Sequence, residues 1–237
     1  MSKIIDFHTH ILPGIDDGSD SVEASIAMLQ EEAKQGIEYV VLTPHFYARH
    51  SSPPRFLVKR DAAEAALRAE TAKHEGLPNI FVGAEIYYFP GISDSDALKE
   101  LTIDQKRCII LEMPESPWTE SMYKEIENIS VKQGITPIIA HIDRYIQPFR
   151  TYGILERLND MPVLVQANAS FFLNTFTKRM ALRLLREDRI HLLGSDCHNM
   201  SSRPPNLGKA LGMIEQRLGT EALNRIVSYQ KMILSAK

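Results

Sequence analysis

The feature that most limits what this chain can fold into is a rhythm. Short apolar, β-branched runs recur at Lys3–Phe7, Glu38–Thr43, Ile80–Gly83, Arg107–Leu111, Thr136–Ala140, Pro162–Gln166 and Ile190–Gly194. Continuous apolar runs of this length read as strands buried on both faces. Helix-like stretches lie between or after them: Ser21–Gln35, Phe56–His74, Glu120–Gln133, Lys178–Glu187, Asn206–Leu218 and Glu221–Ile233. Asp20 with Glu23 three residues on reads as a carboxylate variant of the capping box, and Gly134 as a helix stop. Strand–helix alternation means parallel strands joined by right-handed crossovers. No run is polar enough for an exposed edge, so an α/β barrel of about seven strands is expected rather than an open sheet. A length of 237 residues suits one such barrel, so a single domain over 1–237 is expected.

Bulk properties remove other classes. A net charge of −3 gives no electrostatic support to a polyanion, so no nucleic-acid partner is expected. No apolar stretch approaches a membrane span, and one Lys before an apolar strand ending in Asp-Phe-His is not a secretory leader. Cys108 and Cys197 form no disulfide framework, which points to a reduced, cytoplasmic setting.

Chemistry-bearing side chains cluster where the strands end. His8 and His10 follow the first run in "IIDFHTHILPGIDDGSD". His45 follows the second in "VVLTPHF", Glu85 the third in "VGAEIYY" and Glu112 ends the fourth in "CIILEMP". His141 follows the fifth in "PIIAHIDRY", and Asp196 and His198 follow the seventh in "LLGSDCHN". In a parallel barrel those ends share one rim, where active sites are built. Imidazoles with carboxylates suit Mn, Fe or Zn, and the absence of clustered cysteines argues against a structural zinc. His-x-His on an extended segment points both rings one way. A lone histidine at a strand end is more often satisfied by hydrogen bonds; so many in register reverse that balance. His50 and His74 read as solvated and His191 as a strand residue. Asp17, Glu85, Glu112 and Asp196 carry four negative charges. Two divalent ions would cancel them, and three would leave about +2, a suitable host for a phosphate dianion.

Taken together, "DFHTHILPGIDDGSDS", "LTPHF", "GAEIYY", "LEMP", "IIAHIDRY" and "GSDCHN" resemble the PHP (polymerase and histidinol phosphatase) superfamily. They look most like its manganese-dependent bacterial protein-tyrosine phosphatases of capsule and exopolysaccharide synthesis. The resemblance runs in order along nearly the whole chain. It implies a distorted, TIM-like (β/α)7 barrel with three divalent ions, manganese by resemblance. One ion would be held by His8, His10, Glu85 and Asp196, a second by Glu85, Glu112 and His141, and a third by Asp17, His45 and His198. The family pattern favours Asp17 over Asp16; the sequence alone does not choose, and Asp16 would structure the turn. Arg144 and Arg203 match family arginines that hold substrate phosphate. The implied substrate is the phosphotyrosine-bearing tail of a bacterial tyrosine autokinase. Asp143 or a water is a candidate proton donor, and "FYARHSSPPRF" is either a loop receiving a phosphotyrosine ring or a plain connection.

Other readings stay open at this point. A histidinol-phosphate or other small phosphomonoester phosphatase, or a nuclease, would use the same scaffold. Cys197 and Arg203 have the C-x5-R spacing of thiol phosphatases, although "CHNMSSR" lacks a glycine for a tight phosphate loop. A non-catalytic partner of a membrane kinase complex would not need so full a ligand set.

Overall fold

The computed structural model describes residues 4–146 and 153–235; Lys3, assigned to the first strand, lies outside them. The strands are β1 (Ile5–Thr9), β2 (Tyr39–Leu42), β3 (His45–Phe46), β4 (Asn79–Val82), β5 (Glu85–Tyr87), β6 (Cys108–Glu112), β7 (Thr136–Ile139), β8 (Leu164–Asn168) and β9 (Leu192–Gly194). The α-helices are α1 (Val22–Lys34), α2 (Pro53–Thr71), α3 (Glu120–Gln133), α4 (Ile154–Asn159), α5 (Ala169–Leu173), α6 (Lys178–Arg186), α7 (Leu207–Leu218) and α8 (Thr220–Ser235). Every strand pairing is parallel. The strands curl in the orders β1-β2-β4 and β3-β5-β6-β7-β8-β9. No helix among the described residues is long and apolar enough to cross a membrane.

The second and third expected strands appear as β2 and β4, and each is followed by a short strand beyond the expected run, β3 and β5. β2 and β3 are separated at Thr43–Pro44, and β4 and β5 at Gly83–Ala84. Pro44 has no N–H to give a ladder. Across the breaks Gly83 N–H donates to Leu42 O (2.9 Å) and Glu85 N–H to Pro44 O (3.0 Å). At the far side, Asp196 N–H donates to His8 O (2.8 Å) and His10 N–H to Cys197 O (2.9 Å), which binds β1 to the exit of β9.

Alternation along the strands sorts the core. Cys108, Ile110, Ile138, Leu164 and Leu192 join Ile5, Phe7 and Val41 in an inner cluster. Ile109, Leu111, Ile139, Val165 and Leu193 point outward into the layer shared with the helices. That two-sided burial is why the strands read as unbroken apolar runs; each fully buried Ile or Leu contributes about 1.5–3 kcal/mol. α1 is capped by Ser21, whose side chain accepts from Ala24 N–H, so Asp20 is not the cap. Asp20 is exposed, and the hydroxyl one residue later reaches the N3 amide. α2 begins three residues before Phe56 because Pro53 and Pro54 preset the helical φ. α3 runs over its expected range and stops at Gly134, whose φ of 64° is the left-handed cap.

β1 carries a bulge. It takes three steps from Asp6 to Thr9 while β2 takes two from Val40 to Leu42. Such a bulge re-aims side chains: Phe7 stays in the inner cluster while His8 turns to the carboxylates at the strand exits. Gly194 makes room for this, because a Cβ there would lie 2.5 Å from His8 Cβ.

Candidate metal centre

His8, His10, Glu85, Glu112, His141, Asp196 and His198 converge at the C-terminal ends of the strands, all buried. Three groups of donor atoms are close enough to share a cation: His8, His10 and Glu85; His45, Glu85 and Glu112; and His10, Asp17, His45 and His198. Glu85 is the hub. Its Oε2 lies 3.2 Å from His8 Nε2, 3.2 Å from His10 Nε2 and 3.0 Å from His45 Nδ1, and its Oε1 lies 2.8 Å from His141 Nε2. Asp196 Oδ1 is 3.7 Å from His8 Nε2 and 3.5 Å from His10 Nε2, while Glu112 Oε1 is 3.5 Å from His141 Nε2. His10 thus reaches the third group as well as the first, a sharing that sequence order does not reveal. His141 and Asp196 hold positive φ of 31° and 55°, a region that aspartate and histidine tolerate better than most residues.

The histidine tautomers are set from outside. His8 Nδ1–H donates to Gln166 Oε1 (3.3 Å), His10 Nδ1–H to Asp16 Oδ2 (2.7 Å) and His198 Nδ1–H to Asp196 O (3.0 Å). Each ring therefore turns its Nε2 inward, the orientation metal-binding histidines adopt. Glu112 Oε2 and His198 Nε2 are buried without a hydrogen-bond partner among the described residues, and Glu85 Oε2 meets three imidazole nitrogens at 3.0–3.2 Å without a well-formed hydrogen bond. Orphaned buried acceptors cost about 1–3 kcal/mol each, more when charged, unless a cation meets them. The residues present fit divalent ions on that ground and on donor chemistry.

The two adjacent aspartates separate here. Asp17 is two-thirds exposed, and its Oδ1 lies 3.5 Å from both His45 Nε2 and His198 Nε2. Asp16 is buried; besides His10 it accepts from His45 N–H (2.9 Å) and Gly18 N–H (3.0 Å). Gly18 is obligatory, since a Cβ would meet His10 O at 2.1 Å.

Charges follow the packing. Burial alone would lower the His141 pKa, but hydrogen bonds to Glu112 and Glu85 push it up to about 9. His10 rises well above its ordinary value for the same reason: the Asp16, Asp196 and Glu85 bonds overcome desolvation. Burial would raise Asp16, yet the His10 bond holds it at about 2. His198, desolvated and beside the positive His10 and Arg203, falls to about 4 and is neutral at pH 7. His10 and His141 thus favour the protonated form in the metal-free centre, and cation binding there would release those protons.

At the rim, half-exposed Arg144 donates to Glu112 Oε1 (3.1 Å) and Asp196 Oδ2 (2.9 Å), and Arg203 Nη2 lies 2.7 Å from the same Asp196 oxygen. The C-x5-R pairing is a coincidence of spacing. Cys197 faces away from these arginines, fully buried beside Glu32 (4.0 Å), and burial pushes its thiol well up, so it is no thiolate. Asp143 is turned to structure, its Oδ1 accepting from Asn168 N–H. His50 is exposed, His74 pairs with Glu70, and His191 sits against β8, where its Nδ1 accepts from Val165 N–H.

Two residues escaped the sequence reading. Gln166 Oε1 accepts from both His8 Nδ1–H and His141 N–H (2.6 Å); its amide donates to Asn168 Oδ1, and Asn168 Nδ2 donates to Asp196 Oδ2 (2.9 Å). The signal was present: these are the polar members, two apart, of an otherwise apolar strand whose exit supplied no acid or histidine.

A curled parallel α/β sheet thus carries a many-histidine, many-carboxylate centre at its strand exits. The model of a family described as "Capsular polysaccharide synthesis, CpsB/CapC" matches residues 4–234, and the chain belongs to that family. It is 31% identical over 229 residues to tyrosine-protein phosphatase CpsB of Streptococcus pneumoniae, covering 92% of each chain. It is 26% identical to tyrosine-protein phosphatase YwqE of Bacillus subtilis, covering 98% of this chain and 91% of that one. In fold it matches a solved structure from work on YwqE and CpsB, described there as unique metal-dependent tyrosine phosphatases. The TM-score is 0.86 with 24% identity, covering 99% of this chain and 96% of that one.

Proposed function

We propose that this protein is a metal-dependent protein-tyrosine phosphatase that hydrolyses phosphotyrosine, with a bacterial tyrosine autokinase of capsule or exopolysaccharide synthesis as its substrate. The observation that carries the reading is the outward anchoring of His8, His10 and His198, which turns three Nε2 atoms onto a carboxylate cluster, with two arginines at its rim. Relatives across nearly the full length carry the name tyrosine-protein phosphatase. The chain is read as one domain, a distorted (β/α)7 barrel in which β2–β3 and β4–β5 each count as one stave. The hydrogen bonds across both breaks and from β1 to the β9 exit support that count.

Three divalent ions, manganese in preference to iron or zinc, would be held as follows. His8, His10, Glu85 and Asp196 would take one, Glu85, Glu112 and His141 a second, and Asp17, His45 and His198 a third; Asp196 and His141 lie outside the three close donor groups and would join through their contacts with His8, His10, Glu85 and Glu112. Such ions supply Lewis-acid polarisation of phosphoryl oxygens and acidify water. The chain's own residues do the rest. Arg144 and Arg203 exchange their Asp196 contacts for equatorial phosphoryl oxygens, binding them through planar forks. Water attacks phosphorus in line, the P–O bond to the tyrosyl oxygen breaks, and the phenolate takes up a proton. With a pKa of about 10, that leaving group needs less acid assistance than an alkoxide. Asp16, Gln166 and Asn168 hold the histidines and Asp196 in register.

Parallel assays on a phosphotyrosine peptide, histidinol phosphate and single-stranded DNA test the reading. The peptide is expected to give the highest kcat/KM; a preference for histidinol phosphate would replace it with the small-phosphomonoester alternative.

A further inference from the structure

A cavity of about 410 Å³ opens from Asp17 and His45 toward the start of α2, a size typical of ligand pockets. Tyr47 forms its near wall, ring centroids 5.2 Å from His45 and 5.6 Å from His50. Arg55 and Lys59 form its far wall, one helical turn apart and both exposed. Arg144 and Arg203 do not line it; they lie on the Asp196 side of the centre.

The two far-wall cations stand out within their own helix. Further along α2, Arg60 pairs with Asp61 and Arg68 with Glu64. Among the described residues neither Arg55 nor Lys59 makes such an ion pair. The first turn of α2 holds no acidic residue and has no side-chain cap. Arg55 there opposes the helix dipole, whose positive end is already at this wall. Positive charge has therefore been gathered at the outer end of a cavity that begins at the catalytic centre, without an internal partner. Asp16 and Asp17 also line the cavity, which favours a monoanion over a dianion as its counterpart.

We propose that this cavity is a peptide subsite, in which Arg55 and Lys59 bind the carboxylate of an acidic residue close to the phosphotyrosine while Tyr47 lies against the intervening chain. The inference rests on the phosphotyrosine reading above and names the sequence context that reading leaves blank. Two solvent-facing cations on one carboxylate give a preference of about tenfold, or about 1.4 kcal/mol, that weakens as salt screens it.

The test uses the full chain loaded with Mn²⁺ and peptides that differ at one position. A single glutamate is moved through the three positions on either side of the phosphotyrosine, each peptide being paired with its glutamine counterpart. The expected result is a Glu/Gln ratio in kcat/KM of about ten at one position or more, arising in KM. That ratio should fall toward one at high salt and in Arg55→Gln/Lys59→Gln. Lys59→Glu should move the preference toward a lysine at the same position. A ratio of one everywhere in the wild type, with the glutamine peptides still turned over, would sink the subsite and leave the phosphatase reading standing. A preference that survives in the double variant would place it elsewhere, and a second phosphotyrosine preferred to glutamate would overturn the monoanion assignment. Failure to turn over any of the peptides would overturn both readings.

Discussion

Adjacent Asp16 and Asp17 offer a sharp perturbation, because one carboxylate faces the centre's donors and its neighbour anchors a ring from behind. Asp16 Oδ2 accepts from His10 Nδ1–H and His45 N–H, and Oδ1 from Gly18 N–H. In Asp16→Asn the amide carbonyl can serve only one side, so an NH2 group meets a donor on the other and the charge-assisted bond to His10 becomes neutral. That exchange is worth about 1.5–3 kcal/mol. The depression of the Asp16 carboxyl from 3.8 to about 2 gives an independent figure of about 2 kcal/mol. In the metal-free protein Asp16→Asn should lower Tm by about 4–8 °C at pH 7. Because the folded carboxyl is depressed, its contribution is complete above about pH 4 and is lost as pH falls through about 2. The gap between variant and wild type should close over that window. With Mn²⁺, titration calorimetry and elemental analysis should show the wild-type number of ions bound about 10–100-fold more weakly. Asp17→Asn should instead remove one ion with little loss of metal-free stability, since Asp17 is exposed. Loss of an ion in Asp16→Asn alongside full occupancy in Asp17→Asn would refute the division of labour.

Glu85→Gln should abolish phosphotyrosine hydrolysis and lower metal content, because the hub carboxylate touches four imidazoles; full activity with full occupancy would contradict that role. Arg203→Lys keeps the charge but loses the planar fork. Turnover should drop at least tenfold with metal content unchanged, and metal loss would reveal a structural part for Arg203. Cys197→Ser should keep most activity and lose about 1 kcal/mol of stability from its buried site. A folded, fully loaded but inactive variant would revive thiol chemistry.

The sequence reading reached the strand exits because two strong signals coincide there. Apolar runs mark buried parallel strands, and charged or imidazole side chains directly after them have nowhere else to point. α3 was legible end to end, from Glu120 to Gly134, because a helical pattern ran into a glycine stop. Less visible was anything decided by three-dimensional neighbours. The short strands β3 and β5 that resume after Thr43–Pro44 and Gly83–Ala84 went unassigned, and the bulge that re-aims His8 depends on its register with β2. Asp20 and Ser21 are both good caps, and only geometry gives the bond to Ser21. Gln166 and Asn168 bear no charge and follow no metal-binding spacing, so their hold on His8, His141 and Asp196 appears only once β8 stands beside β7 and β9. The short helices α4 and α5 are six and five residues, too brief for a periodic signal.

The most direct test of a metal-borne phosphotyrosine hydrolysis is activity on a phosphotyrosine peptide before chelation, after it, and after metal is returned, run on wild type and Cys197→Ser together. The account predicts that purified protein carries divalent ions, that EDTA abolishes hydrolysis in both proteins, and that Mn²⁺ restores it to both. Undiminished hydrolysis by protein shown by elemental analysis to be metal-free would contradict it.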